Sequence, residues 1–411
     1  MTPKILLVTT RRWFATARLG TALAQAGSDV QAVCPSDHLL TKARAVRGTF
    51  RYSGLLPSKS IRAAMGAAQP DLVVPGDDLA ATHLHHLHKL ATRPDAESPN
   101  ILALLERSLG NPAYFSAVDS RNTFMSLARE EEVRAPNTAI VTSVDNVRSW
   151  LKENGLPAVL KVDGTYGGAG TEIVHSLSDA ESAFRKLAVG ILLSRVAKDA
   201  VLGGDLTLAR SWFQNSKSVV SIQSFVPGPD ASSSVACWQG EVLAMIQFEV
   251  LRKTNPKGSA SVLRLIDNPE ISATVKKMVS RLGLSGLVGF DFILEEQTGH
   301  PYLIELNPRA TQTCHLRLGD GRDLVAALRS KISGEALQVV PRMTDDDVIA
   351  LFPQEWQKTP DSEFIKSAYH DVPWDEPELV RAGTQYRPQN GGWLSQGKWR
   401  EVRSKLSVRR A

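Results

Sequence analysis

Gly289-Phe290-Asp291-Phe292-Ile293-Leu294, followed by Tyr302-Leu303-Ile304-Glu305-Leu306-Asn307-Pro308-Arg309, is the stretch on which the reading of this chain turns. Both halves are apolar runs of strand length, and together they predict a hairpin. Asp291 lies on the first strand, while Glu305 and Asn307 stand two apart on the second. Side chains alternate between the faces of a strand, so Glu305 and Asn307 share a face, and Arg309 continues it. Hard oxygen ligands on one face, next to an arginine, suit Mg2+ holding a polyphosphate. They predict phosphoryl transfer from a nucleotide. For this segment alone, a hairpin with one solvated polar face is the plain alternative.

Upstream, Pro157-Ala158-Val159-Leu160-Lys161 is a short apolar strand ending in a lysine. It runs into Asp163-Gly164-Thr165-Tyr166-Gly167-Gly168-Ala169-Gly170 and then into a second strand-like run, Thr171-Glu172-Ile173-Val174. A loop this rich in glycine lets backbone N–H groups approach phosphates closely. Lys161 would add a compact positive charge against the same oxygens. The pattern is not a Walker P-loop, because the lysine precedes the glycines and no Gly-Lys-Ser/Thr follows. Taken alone, the loop reads equally as a flexible turn; with Lys161 and the later carboxylates it reads as a phosphate cover.

Between these pieces, Val219-Val220-Ser221-Ile222-Gln223-Ser224-Phe225-Val226 reads as a strand that Pro227-Gly228-Pro229-Asp230 turns. Ser233-Ser234-Val235-Ala236-Cys237-Trp238 continues as another strand. Such a linker would line an adenine slot and offer Asp230 to ribose hydroxyls.

A lysine before a Gly-rich loop, then strand-Pro-Gly-x-acid, then an aspartate on a strand, then Glu-x-Asn-Pro-Arg: this order resembles the ATP-grasp superfamily, particularly its carbamoyl-phosphate-synthetase-like and carboxylate–amine ligase branches. The resemblance covers roughly Asp119 to Gly334, with the Glu305–Arg309 run and the Lys161 segment as its specific parts. It implies an α/β and α+β architecture: an ATP-grasp fold with an N-terminal Rossmann-like parallel-sheet domain and a C-terminal extension. The expected boundaries are 1–115 for the N-terminal domain, 116–335 for the grasp module and 336–411 for the extension; the module's small subdomain falls at about 137–226.

The resemblance also implies roles. Lys161 and Arg121 would touch ATP phosphates, and Thr165, Tyr166, Gly167, Gly168 and Gly170 would cover them. Gln223 would face the adenine amino group, the backbone of Phe225 and Val226 would hold the adenine edge, and Asp230 would bind ribose. Asp291, Glu305 and Asn307 would hold Mg2+, two ions being expected and Mn2+ an acceptable substitute. Arg309, with Lys161, would act in catalysis by steadying the transferred phosphoryl or acyl phosphate. The implied activity is an ATP-dependent ligase that activates a carboxylate as an acyl phosphate and joins it to an amine. Small-molecule carboxylate and amine substrates are its expected partners, with no nucleic acid or membrane, and a homodimer is compatible with it. A bicarbonate-activating enzyme of the carbamoyl-phosphate or carboxylase type is the alternative, and a non-catalytic ATP-binding module a third reading.

The chain departs from the family pattern at three places. Arg121 stands where a lysine is usual, keeping the charge but not the point geometry. Gln223 and Ser224 replace Glu and Lys. Gly289 occupies a place that some amino-acid ligases fill with arginine.

Composition is consistent with this and does not choose it. The 411 residues are 43% hydrophobic and 22% charged, which suits two or three packed domains. Net charge is +5, but basic residues cluster only between Lys398 and Arg410, where no aromatic platform accompanies them; a solvated tail is expected there. Cys34, Cys237 and Cys314 are scattered and odd in number, so reduced thiols in a cytoplasmic protein are expected. No apolar run is long enough to span a membrane, and Lys4-Ile5-Leu6-Leu7-Val8 reads as a strand rather than a signal peptide.

From Ile5 to Val74 strands and helices alternate, which predicts a small parallel sheet. Loops beyond the carboxyl ends of such strands are where ligands sit. Pro75-Gly76-Asp77-Asp78 and Thr10-Arg11-Arg12 are therefore substrate-side candidates; a helix cap and solubilising arginines are the competing readings. His83, His85, His86 and His88 fan around a helix without convergence, which reads as surface and boundary histidines rather than a metal site. Ala180 to Asn215 reads as long and helical, a lid or contact element. The basic loop Arg252–Gly258 would face the γ-phosphate or an acidic substrate, or else water. Thr313 and His315 would touch substrate or serve packing. Beyond Val340 the Trp- and Pro-rich texture predicts an extension packed over the core with little regular structure.

Overall fold

The computed structural model describes residues 1–93, 99–162, 170–189, 219–256, 258–319 and 321–385. Thr165, Tyr166, Gly167 and Gly168, most of the expected 180–215 helix, and the basic terminus lie outside the described residues.

The first sheet is parallel: β1 (Lys4–Val8), β2 (Asp29–Cys34), β3 (Gly48–Arg51) and β4 (Leu72–Pro75), in the order β3-β2-β1-β4. Strands β1 and β4 are near-continuous apolar runs because both of their faces are covered. One face packs on α2 (Pro57–Ala68), α3 (Asp78–Ala91) and α4 (Pro99–Leu109). On the other, Ile5, Leu7 and Val74 share a core with α1 (Phe14–Gln25) and with residues from the largest sheet, such as Phe248 and Leu263. Two short helices follow, α5 (Phe115–Val118) and α6 (Arg121–Glu130); Ser120 caps the second through Thr123 N.

A four-stranded antiparallel sheet comes next, from β5 (Thr138–Val141), β6 (Ala158–Val162), β7 (Thr171–Val174) and β8 (Val220–Ser224), in the order β5-β8-β6-β7. Leu160 and Ile222 point to α7 (Val144–Asn154) and α8 (Leu177–Val189) and close a separate small core. Strand alternation then sends Lys161 and Gln223 to the opposite face.

The largest sheet has seven strands: β9 (Asp230–Trp238), β10 (Glu241–Lys253), β11 (Ala260–Ile266), β12 (Gly286–Leu294), β13 (Pro301–Asn307), β14 (Val348–Leu351) and β15 (Tyr369–Asp371), ordered β13-β12-β9-β10-β11-β14-β15. Helix α9 (Pro269–Leu282) covers β9, β12 and β13 with Ile271, Val275, Met278 and Val279, and α10 (Leu324–Ser333) packs on β9 and β10 and against α1. The turn joining the small sheet to the large one needs a glycine: Gly228 has φ +146°, and a Cβ there would lie 1.8 Å from the Leu294 carbonyl oxygen.

The region beyond Val340 corrects the expectation of little regular structure. Val348-Ile349-Ala350-Leu351 pairs antiparallel with β11, and β15 adds to it in parallel. Helices α11 (Gln354–Lys358), α12 (Glu363–Ser367) and α13 (Pro377–Gln385) follow, and Leu379 and Phe352 join the core that contains Phe14. An apolar run of four residues amid Trp and Pro was too short to stand out. Helix α3 brings a second correction, since His83, His85 and His88 are buried, not on the surface. They diverge to separate partners: Tyr52 Oη at 2.9 Å, Asp119 at 2.8 Å and Glu106 at 3.0 Å. Among the described residues no helix is long and apolar enough to cross a membrane.

Candidate active site

The β12–β13 hairpin forms as an antiparallel pair. Asp291 pairs with Glu305 and Gly289 with Asn307, so all three oxygen-bearing side chains project from one face. Asn307 Nδ2 donates to Asp291 Oδ2 at 2.9 Å, and Asn307 Oδ1 accepts from an Arg309 amino group at 3.1 Å. Glu305 Oε1 accepts from Arg121 at 2.7 Å; Arg121 reaches it from the first turn of α6. The small sheet supplies Lys161, which is buried and whose charge acts on both Glu305 and Asp291.

These charges shift one another. Burial, with Arg121 adding repulsion, brings the Lys161 ammonium down to about 8 against the pull of Glu305 and Asp291. Burial, with repulsion from Glu305, pushes Asp291 up to about 6; the Asn307 hydrogen bond and Arg309 oppose it. For Glu305 burial is outweighed by Arg121, Lys161 and Arg309, which hold its carboxyl below the usual range. Two half-buried carboxylates facing each other, plus an amide oxygen, form a hard donor set whose repulsion a divalent cation would relieve. The residues therefore fit Mg2+.

Arg309 is held from the N-terminal side. Its Nε lies 3.1 Å from Asp78 Oδ1, and its guanidinium stacks 4.7 Å from the centre of the Trp13 ring. Burial raises the Asp78 carboxyl against the opposing Arg309 charge. The backbone reinforces this approach, as Ala310 N donates to Pro75 O at 3.0 Å. The two neighbouring aspartates divide the alternatives between them. Asp77 caps α3 through Ala80 N and binds Thr9, Thr10 and Arg11, a structural use, whereas Asp78 faces Arg309.

On the small-sheet side, Gln223 is buried, and among the described residues its Nε2 has no hydrogen-bond partner. It sits on the same face as Lys161, two pairs along β6 and β8, where Lys161 opposes Ser221 and Val159 opposes Gln223. Phe225 N donates to Pro157 O at 3.3 Å, and Val226 is buried. Gly170, at the far end of the glycine loop, accepts from Val162 N at 3.0 Å. Asp230 is ion-paired with Lys253 of β10, and burial draws the Lys253 ammonium down while Asp291 pulls it up.

Other candidates fall elsewhere. Arg252 pairs with the fully buried Glu355 at 3.1 Å, and His315 bonds Asp371 at 2.6 Å, each tying in the C-terminal region. Cys314 is buried and its thiol is pushed up by that burial, so it offers no nucleophile. Two features were not read from the sequence. Trp13, just past Arg12 at the carboxyl end of β1, had only its position as a signal. The hydroxyl cluster Ser234–Thr311–Thr313, with Ser234 2.6 Å from Thr313, had none.

With the geometry in view, residues 195–313 match the family model of the ATP-grasp domain. The chain carries an ATP-grasp domain. Its mixed α/β fold is shared with solved structures of 12–17% sequence identity. The 2-oxoglutarate carboxylase biotin carboxylase domain of Hydrogenobacter thermophilus, solved with MgADP, ADP and bicarbonate, superposes with a TM-score of 0.58 at 15% identity, over 82% of this chain and 71% of that one. In sequence the chain is 21% identical to the carbamoyl phosphate synthase large chain of Thermus thermophilus over 305 residues, 65% of this chain and 28% of that protein. It is 26% identical to phosphoribosylamine–glycine ligase of Xanthomonas axonopodis over 270 residues, 60% and 57% of the two. The chain thus spans 28% and 57% of the lengths of these two relatives.

Proposed function

We propose that this ATP-grasp chain is an ATP-dependent ligase that activates a small carboxylate as an acyl phosphate, releasing ADP, and joins it to an amine with release of phosphate. The observation that carries this reading is the convergence of Asp291, Glu305 and Asn307 with Lys161, Arg121 and Arg309 from three parts of the chain. Lys161 and Arg121 would position the phosphates, with Thr165–Gly168 and Gly170 covering them. Asp291, Glu305 and Asn307 would hold Mg2+, which when bound supplies charge neutralisation on the phosphate oxygens. Gln223, the backbone at Phe225 and Val226, and Asp230 would bind adenosine. The buried Gln223 amide supports this reading, because a ligand would satisfy it.

The substrate carboxylate would attack the γ-phosphorus, breaking its bond to the ADP oxygen. The amine would then displace phosphate from the acyl carbon, Arg309 stabilising the oxygen charge while Asp78 and Trp13 hold its guanidinium in place. Two Mg2+ ions are proposed, with Mn2+ as a substitute, and a cytoplasmic setting. A homodimer is proposed by extension from the carboxylase domain, which crystallised as one. Bicarbonate is the second substrate reading, favoured by the likeness to carbamoyl phosphate synthase and to that bicarbonate-bound domain.

The test is ATP consumption by purified protein with Mg2+, quantifying ADP, AMP and phosphate against pooled amino acids, other carboxylates and bicarbonate. The expected result is substrate-dependent ADP and phosphate, reduced at least about 100-fold by Glu305→Gln. Release of AMP and pyrophosphate would overturn the mechanism, and nucleotide binding without turnover would favour a binding module.

A further inference from the structure

Away from the residues assigned to ATP and Mg2+, a cavity of about 540 Å3 lies where α1, α10 and the C-terminal strands meet, with His315 on its wall. Its size is within the range of small-molecule sites. Three guanidinium groups line it: Arg18 from α1, Arg317 from the segment after β13, and Arg329 from α10. Thr21, one turn along α1 from Arg18, and Tyr369 of β15 complete the polar wall.

This wall carries unmet hydrogen-bonding capacity. Arg18 is 8% exposed and Thr21 2% exposed, yet among the described residues Arg18 Nε, Thr21 Oγ1 and Arg329 Nε are buried without a hydrogen-bond partner. Arg18 and Arg329 use their terminal amino groups on Asp371 and Glu335, which leaves the Nε–H groups unspent. Arg317 makes no ion pair among the described residues and is half-buried. The cavity's own carboxylates are already engaged: Asp323 caps α10 through Ala326 N at 2.9 Å, and Asp375 accepts from Gln25. Buried donors left unpaired are unfavourable, and arginine forks match planar or tetrahedral oxyanions.

We propose that this cavity is a second ligand site, one that binds a small metabolite through a carboxylate or phosphate group seated among Arg18, Arg317 and Arg329, with Thr21 as hydroxyl partner. It is independent of the nucleotide reading, since none of the residues assigned to ATP or Mg2+ lines it.

The test is calorimetric and thermal-shift titration of the full chain with inorganic phosphate and, separately, citrate, against sodium chloride at equal ionic strength. Saturable binding of one or both is expected, and the preferred probe separates a phosphate ligand from a carboxylate one. Arg317→Gln should weaken it at least about tenfold. Thr21→Val, which keeps the side-chain volume, should weaken it as well, while Lys161→Met leaves it unchanged. The proposal is overturned if neither probe binds saturably, if binding survives both cavity variants, or if Lys161→Met abolishes it.

Discussion

Asp291 carries the sharpest conflict at the scale of single residues. It is half-buried beside Glu305, and its carboxyl is raised from 3.8 to about 6. A carboxyl whose pKa is higher in the folded chain than in the unfolded one binds the extra proton in the folded state. Its burden on stability is therefore fully present above pH 6 and is relieved as pH falls toward 3.8. Asp291→Asn should raise unfolding stability at pH 7.5 by on the order of 1–2 kcal/mol, a gain that fades by pH 4. The same variant should lose Mg2+-dependent nucleotide binding. Urea unfolding at both pH values, with nucleotide titration in parallel, reads both effects; a variant less stable than wild type at pH 7.5 would contradict the account. Such a trade of stability for function fits the proposed cation site. Glu305 and Asn307 were legible because strand alternation alone puts them on one face, and pairing across the hairpin then brings Asp291 to the same side. Asp78 and Trp13 were not, because their meeting with Arg309 depends on how β4 docks beside β13.

Among the elements, the β9–β12–β13 strands show why Gly289 is a glycine here. A Cβ on Gly289 would sit 2.2 Å from Thr311 Cγ2, and Thr311 is bonded through its hydroxyl to Ser234, the residue paired with Gly289 in β9. An arginine at this position, as in some amino-acid ligases, has no room beside that cluster. Gly289→Ala should destabilise the fold by about 1–3 kcal/mol. Adding Thr311→Ser removes the obstructing methyl and keeps the hydroxyl, so it should recover most of the loss. Chemical denaturation of the two single variants and the double reads the coupling directly. Equal destabilisation in the presence and absence of Thr311→Ser would refute the steric explanation. The departure at Gly289 was visible in the sequence; its partner was not, since Thr311 lies in an irregular turn with no periodicity to orient it.

For the whole molecule, the decisive feature is how the chain's two ends are tied through its middle. Asp371 of β15 binds Arg18 of α1 with one oxygen and His315 with the other, and all three are buried. Despite burial, Arg18 and His315 hold the Asp371 carboxyl below the usual range. Its stabilisation is thus present above the unfolded carboxyl's pKa and lost as pH falls through the lower folded value. Asp371→Asn leaves Arg18 buried without its counter-charge and should cost about 3–5 kcal/mol at pH 7. The gap from wild type should close in strong acid. Thermal unfolding across pH checks this, and an unchanged melting temperature at pH 7 would rule out the tie. The expectation of little regular structure beyond Val340 failed among the described residues for a physical reason. β14 and β15 are short strands that gain stability only by adding to the edge of an existing sheet.

What the sequence determined by itself is what local physics can specify. Strand alternation set the face shared by Glu305 and Asn307, the lysine–glycine order around Lys161 distinguished the loop from a P-loop, and apolar β1 and β4 announced a buried parallel sheet. Tertiary structure decided which of Asp77 and Asp78 caps a helix and which meets Arg309. It also buried the α3 histidines beside different partners, joined Asp371 to Arg18 and His315, and enclosed the arginine-lined cavity. These outcomes depend on pairings between residues distant in the chain, whose energies arise only after the sheets pack, so no local pattern records them.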